Sequence, residues 1–153
     1  MMMPTGNSLV GRGFGGWGLQ TNLPASITHG RYVVTHWNAG LTWIPSAQNA
    51  AREHAALWNP NLGQSTVFLI RPRFNALCEI AWSSNATVVG KGHATRTQNL
   101  VLNPGVRWAY NFASGLQIVP GIGVPLGIGP SAGQRGMMLY LSFEHNLGMP
   151  KSR

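Results

Sequence analysis

Apolar and polar residues alternate with a period of two along most of this 153-residue chain. Successive side chains of a β-strand point to opposite faces of a sheet, so the alternation predicts strands with one apolar and one polar face. The strands are predicted at residues 14–23, 33–43, 65–82, 98–112, 116–126 and 137–144. This order predicts an all-β fold, an antiparallel up-and-down meander of about six strands.

The segments between these strands differ in length and composition. Residues 28–30 and 113–115 are predicted to form tight turns, and residues 129–133 a longer turn. The longest connection is residues 45–64, whose alanine-rich stretch 47–57 favours a short helix, and residues 82–95 are expected to form a polar loop. No domain boundary is evident. We expect a flexible segment at 1–13, the β-barrel portion at 14–147 and a tail at 148–153.

The composition favours contact between the apolar face and lipid. Charged residues make up 9% of the chain, against about 25% in an ordinary soluble domain. The polar positions are filled instead by Gly, Asn, Ser, Thr and Gln. Several predicted strands have nine or more alternating positions, and about 9–11 residues are needed for a tilted strand to cross a bilayer. The pattern therefore predicts part of a transmembrane β-barrel. A soluble all-β binding or structural module remains the alternative, since soluble sandwiches also alternate.

Aromatic residues lie along the predicted apolar face, many of them near its ends. Girdles of aromatic side chains mark both interfaces of membrane barrels, although ordinary core packing explains aromatics equally well when they are taken alone. The predicted lipid-interface aromatics are Trp37, Trp43, Phe68, Trp82, Trp108, Tyr110, Phe112 and Phe143. They place the chain, as an expectation, in the bacterial outer membrane.

Six strands are too few to close a barrel. Single-chain membrane barrels begin at about eight strands, and lipid does not tolerate open sheet edges. No run approaches 18 apolar residues, and residues 1–7 have neither the basic nor the apolar region of a signal peptide. We therefore expect that N-terminal strands are missing or that another chain closes the barrel.

From about Gly16 onward the chain resembles the C-terminal half of a family of bacterial outer-membrane β-barrel transporters, grouped with a barrel from phenol-degradation clusters. The resemblance rests on residues 19–24 (LQTNLP), 36–40 (HWNAG), 103–109 (NPGVRWA), 114–121 (SGLQIVPG), 129–133 (GPSAG) and 139–145 (LYLSFEH). It implies passive transport or uptake of small solutes, with little information on which solute. Barrels of this kind usually end on an aromatic residue, whereas ten residues follow Phe143 here.

The charge balance directs attention to the polar face. The net charge is +8 and the chain has no Asp, but the longest basic cluster, Arg71-Pro72-Arg73, is too sparse for a nucleic-acid tract. Basic groups that line a pore favour anions, so anionic or aromatic-acid solutes are predicted. The predicted pore-lining residues are Arg71, Arg73, Asn75, Glu79, Asn103, Arg107 and Asn111. Alternatively, Arg71 or Arg73 pairs with Glu79 or a strand neighbour and only holds the wall together.

Catalytic and metal chemistry have little support in the sequence. The three Glu residues lie far apart, and Cys78 falls on the apolar parity, which is typical of an inert thiol. The five His residues lack metal-ligand spacing. We therefore expect no enzyme activity, cofactor or metal; the expected partners are membrane lipid and a small-molecule solute, and no nucleic acid.

Overall fold

A computed structural model gives the structure of the chain and describes residues 1, 3, 6, 8 and 13–145. The described part is built from nine β-strands and a short 3-10 turn at Gly129–Ser131. The strands are β1 (Leu19–His29), β2 (Val33–Gln48), β3 (His54–Arg71), β4 (Phe74–Gly90), β5 (His93–Trp108), β6 (Tyr110–Asn111), β7 (Leu116–Gly123), β8 (Leu126–Gly127) and β9 (Met138–His145). Within these residues, no helix has the length and apolar character needed to span a membrane.

The strands form one antiparallel meander that curls into a half-barrel, which confirms the predicted fold class. β1 to β5 pair in sequence order, β5 and β6 both pair with β7, and β8 returns to β5. β5 and β6 are thus two parts of one interrupted strand, and β7 and β8 are two parts of another. The second interruption falls at Val124 and Pro125, where proline cannot donate a ladder hydrogen bond. Within the described residues, β9 pairs only with β7 and β1 only with β2, so both are open edges.

The prediction of one strand at residues 65–82 was wrong, because this segment is the β3–β4 hairpin. Phe68 lies opposite Ala76 and Thr66 lies opposite Cys78. Paired residues therefore have the same parity, and the alternation continues through the turn at residues 72 and 73 without a break. This register hid one strand boundary from the periodicity.

Two predicted connections were also wrong. The expected helix within residues 47–57 is the end of β2, a short turn and the start of β3. The Asn49 side chain holds that turn, since its Oδ1 accepts hydrogen bonds from the backbone N–H of Ala51 at 3.0 Å and of Glu53 at 2.9 Å. Residues 82–95 are not a loop but the far halves of β4 and β5, joined at Lys91 and Gly92. Nine strands are present where six were predicted.

Other predicted boundaries agree better with the structure. The turn at 113–115 is confirmed, with Gly115 at φ 83°, a backbone conformation that favours glycine. The turn at 129–133 is also confirmed, whereas the first strand begins at Leu19 rather than near residue 14. The predicted tail at 148–153 lies outside the described residues, as does most of the segment 1–13. Ser8 of that segment is buried, and its Oγ donates to Gln48 Oε1 at 3.2 Å.

The two faces of the sheet have opposite character. Paired residues share a face, so the register assigns every strand position to one side. One face, here called the convex face, carries exposed apolar side chains such as Leu23 (76% exposed) and Leu139 (73% exposed). The other, the concave face, carries mostly small and polar side chains. A cavity of about 660 Å³ on this side is lined from Pro24 on β1 to Met138 on β9.

Buried apolar residues are few. Ile44 and Leu57 face each other across β2 and β3 on the concave side, each 1% exposed, and they cluster with Ala47, Ala86 and Val88. This cluster lies near the end of the half-barrel that carries the β2–β3 turn. It leaves the large apolar surface of the convex face uncovered.

Candidate functional site

A row of polar residues crosses the concave face at mid-height, one from each of the first five strands. The register aligns Ser26, His36, Ser65, Glu79 and Asn103 in this central row. Ser26 Oγ and His36 Nδ1 are hydrogen-bonded at 2.8 Å. The row exists because each strand presents a polar position at the same level, which places hydrogen-bonding groups on the floor of the 660 Å³ cavity.

The end of the central row holds an unsatisfied acceptor. Asn103 Nδ2 donates to Glu79 Oε2 at 2.8 Å, which fixes the orientation of the amide because a carboxylate needs a donor. Asn103 is 7% exposed, and its Oδ1 is buried without a hydrogen-bond partner among the described residues. This oxygen lies over Gly123, where an added Cβ would come within 2.6 Å of it. A buried acceptor without a donor lowers the free energy of unfolding, so this oxygen is an energetically unfavourable part of the site.

Three amides form a second polar cluster, here called the amide ladder. Asn38 Nδ2 donates to Asn22 Oδ1 at 3.3 Å and to Asn61 Oδ1 at 3.5 Å. The ladder closes over Gly40, where a Cβ would collide with the amide groups of Asn22 and Asn61. A larger residue at this position would displace these amide groups, and the ladder extends the polar surface toward β1.

A basic cluster lies toward the end of the half-barrel that carries the β3–β4 turn. Arg73, Asn75 and Arg107 line a cavity of about 190 Å³ together with Gln117 and Glu144. Asn75 and Arg107 lie opposite each other on β4 and β5. The cavity therefore contains two guanidinium groups and one carboxylate, which leaves a positive balance.

The structure brings together some of the predicted pore-lining residues and separates others. Asn75, Glu79, Asn103, Arg107 and Asn111 all lie on the concave face. Arg71 ends β3 and is exposed, and Arg73 lies in the β3–β4 turn, so neither is the mid-strand wall residue that the sequence predicted. Asn111 accepts a hydrogen bond from Gln117 and lines a separate concavity.

The pairing of Arg71 or Arg73 with Glu79 finds no support in the register. Glu79 lies opposite Ser65 and Asn103, and Asn103 supplies its described hydrogen bond. Both arginines lie near the turn instead, several residues away along their strands. A pairing of either guanidinium with Glu79 therefore does not account for the wall.

Sequence reasoning missed several residues of the concave face. His36, Asn38, Gln117 and Glu144 stood on polar parities of predicted strands, so the signal for them was present. Asn61 gave no such signal, because it lies in the half of β3 that was interpreted as a connection. The ladder and the central row thus depended on strand pairing that the sequence did not reveal.

The predicted lipid-interface aromatics share the convex face. The register puts all eight there, and they are Trp37, Trp43, Phe68, Trp82, Trp108, Tyr110, Phe112 and Phe143. Trp43 stacks on Trp58 at 5.3 Å between ring centroids. Trp37, however, pairs with Gln64 near the middle of the face rather than at its edge.

Among the described residues, no group of three or more His, Cys, Asp or Glu side chains is placed to hold a metal ion. Cys78 is a free, half-buried thiol on the convex face. Comparison with known proteins gives no match to the chain among family models, curated proteins or solved structures. The resemblance to an outer-membrane transporter family therefore stays a prediction.

Proposed function

We propose that this chain forms part of the wall of an outer-membrane β-barrel through which small solutes pass. The observation that carries the proposal is the reversed polarity of the sheet, with large apolar side chains exposed on the convex face and polar groups collected on the concave face. A soluble protein would leave this apolar surface in water, whereas a lipid bilayer would cover it.

The height of the apolar band supports the same proposal. Trp58 and Phe68 are exposed aromatic residues of this band on β3 and lie ten residues apart. At about 3.3 Å per residue the span is about 33 Å, which a strand tilt of about 35–45° reduces to about 23–27 Å. The apolar band of outer-membrane barrels is about 25 Å tall.

Closing the barrel requires further strands, as the open edges β1 and β9 indicate. Because the neighbouring strands are antiparallel throughout, β1 and β9 run in the same direction. If a second copy were related to the first by rotation about the barrel axis, β9 of one copy would run parallel to β1 of the other at each seam. An antiparallel seam at both edges requires an odd number of added strands, which would also give an even total.

The basic cluster supports the predicted preference for anionic solutes. Arg73 and Arg107 line one cavity near an end of the half-barrel, where a positive balance attracts carboxylates. In the closed pore, replacing both by Ser is expected to reduce anion preference severalfold, measured as the reversal potential in a planar bilayer under a salt gradient. Arg71→Ser is the control, because Arg71 lies outside that cavity, and unchanged selectivity in the double variant would contradict the role.

Fractionation of the expressed chain tests the membrane assignment. We expect β-rich protein, by circular dichroism, only in detergent-extracted membranes. A monodisperse, β-rich monomer in plain buffer would overturn the proposal, because the convex face could not remain exposed there, and a soluble binding or structural module would become the leading account.

A further inference from the structure

The small cavity beside the central row carries two opposite charges. It is about 120 Å³ in volume and is lined by Glu79, Arg107 and Tyr140, with Leu77 and Met138 among its apolar residues. The described hydrogen bond of Glu79 comes from Asn103 rather than from Arg107. A carboxylate and a guanidinium thus face one space without neutralising each other by direct contact.

The Glu79 end of this cavity offers a carboxylate. Asn103 Nδ2 donates to Glu79 Oε2 at 2.8 Å, which positions that carboxylate. Its oxygens can accept hydrogen bonds from a primary ammonium group, which has several N–H donors. Such charge-assisted hydrogen bonds are stronger than those between neutral groups.

The Arg107 end is suited to a carboxylate. A guanidinium presents paired N–H donors in the geometry that a carboxylate accepts. Asn103, which lies opposite Glu79, is four positions from Arg107 along β5, about 13 Å, and Glu79 and Arg107 both line the cavity. The remaining gap suits a short solute, and Leu77 and Met138 provide apolar contact for its middle.

From this arrangement we infer that the concave face binds small zwitterions, with the ammonium group at Glu79 and the carboxylate at Arg107. The inference rests on the proposed function for its meaning, since such a zwitterion would be a solute that the barrel passes. The binding site itself is independent of whether the barrel closes.

A set of three probes with the same five-carbon chain tests the inference by isothermal titration calorimetry. The full chain, in the medium in which it folds, is titrated at pH 7 with 5-aminopentanoate, pentanoate and pentylamine. We expect 5-aminopentanoate to bind at least tenfold more tightly than either singly charged probe. Equal affinity for 5-aminopentanoate and pentanoate would overturn the inference.

Substitutions assign each end of the zwitterion. Glu79→Gln is expected to lower 5-aminopentanoate affinity to the value for pentanoate, and Arg107→Gln to the value for pentylamine. Glu53→Gln and Arg135→Gln make the same charge changes away from the cavity and are expected to leave affinity unchanged. If Glu79→Gln does not fold, Asn103→Leu removes the donor that positions the Glu79 carboxylate and is expected to weaken only the probes with an ammonium group.

The outcomes separate this inference from the proposed function. Zwitterion selectivity in a chain that stays monomeric in buffer would support the site and overturn the membrane assignment. A chain that requires detergent but shows no preference among the three probes would support the barrel and overturn the site.

Discussion

The convex and concave faces are made from the same strands, yet they differ in every property that governs contact with solvent. On β3, Leu62 faces outward and is 54% exposed, while the neighbouring Asn61 points inward and interacts with the Asn38 amide. An ordinary soluble sheet buries its apolar face and exposes its polar face. Here the arrangement is reversed, which is why we propose that an apolar medium covers the convex face.

The difference between the two faces indicates which interactions stabilise this sheet. The concave face supplies directed hydrogen bonds and steric fits, such as the amide ladder over Gly40. The convex face supplies surface area without directed contacts, and its contribution depends on what covers it. Substitutions on the two faces should therefore respond differently to lipid.

The largest effect is expected from a charge in the middle of the convex face. Leu62→Arg should lower the free energy of unfolding in lipid vesicles by about 2–4 kcal/mol, because a cation at the bilayer midplane is destabilising. The measurement is urea unfolding followed by tryptophan fluorescence. Val89→Arg is the control, since Val89 is also exposed (58%) but lies on β4 beyond the aromatic Trp82. Equal, small effects at both positions would place the convex face in water.

A smaller effect is expected from a methyl group on the concave face. Gly40→Ala should destabilise the chain by about 1–3 kcal/mol, because the new Cβ displaces the Asn22 and Asn61 side chains and breaks their two hydrogen bonds with Asn38, each worth about 0.5–1.5 kcal/mol. Gly63→Ala is the matched control, since nothing lies within 4 Å of its Cβ position, and it should be neutral or slightly stabilising. The two variants are compared by urea unfolding in the same medium, and equal costs would mean that the ladder does not hold this face.

The smallest effect concerns the aromatic stack on the convex face. Trp58→Leu keeps an apolar side chain but removes the stack with Trp43, for which we expect a loss of about 0.5–1.5 kcal/mol. The Trp37→Leu variant removes a tryptophan of the same face that pairs with Gln64 instead of another ring. The free energies of unfolding of the two variants are compared by chemical unfolding. If Trp58→Leu loses no more than Trp37→Leu, stacking adds nothing beyond the apolar contact area of the side chain.

Part of the candidate site was predictable from parity alone. Glu79, Asn103 and Arg107 were assigned to the polar face from the sequence, and the register confirms that they share it. Arg71 and Arg73 were misplaced because the β3–β4 turn was not recognised. The amide ladder could not be predicted, since it joins residues from three strands and one of them, Asn61, lay in an unrecognised part of β3.

The sequence by itself determined the alternation, and with it the all-β class and the division of residues between an apolar and a polar face, because a period of two is a local property of each strand. Only the tertiary structure decided the number of strands and the side-chain neighbours across them. Paired residues of the β3–β4 hairpin have the same parity, so the alternation runs through the hairpin and hides its turn. At the far ends of β4 and β5, polar residues occupy both faces, so no alternation marks those segments as strands. The distance from Glu79 to Asn103, and the orphaned oxygen that follows from it, depend on register, which is a relation between strands and not a property of either one.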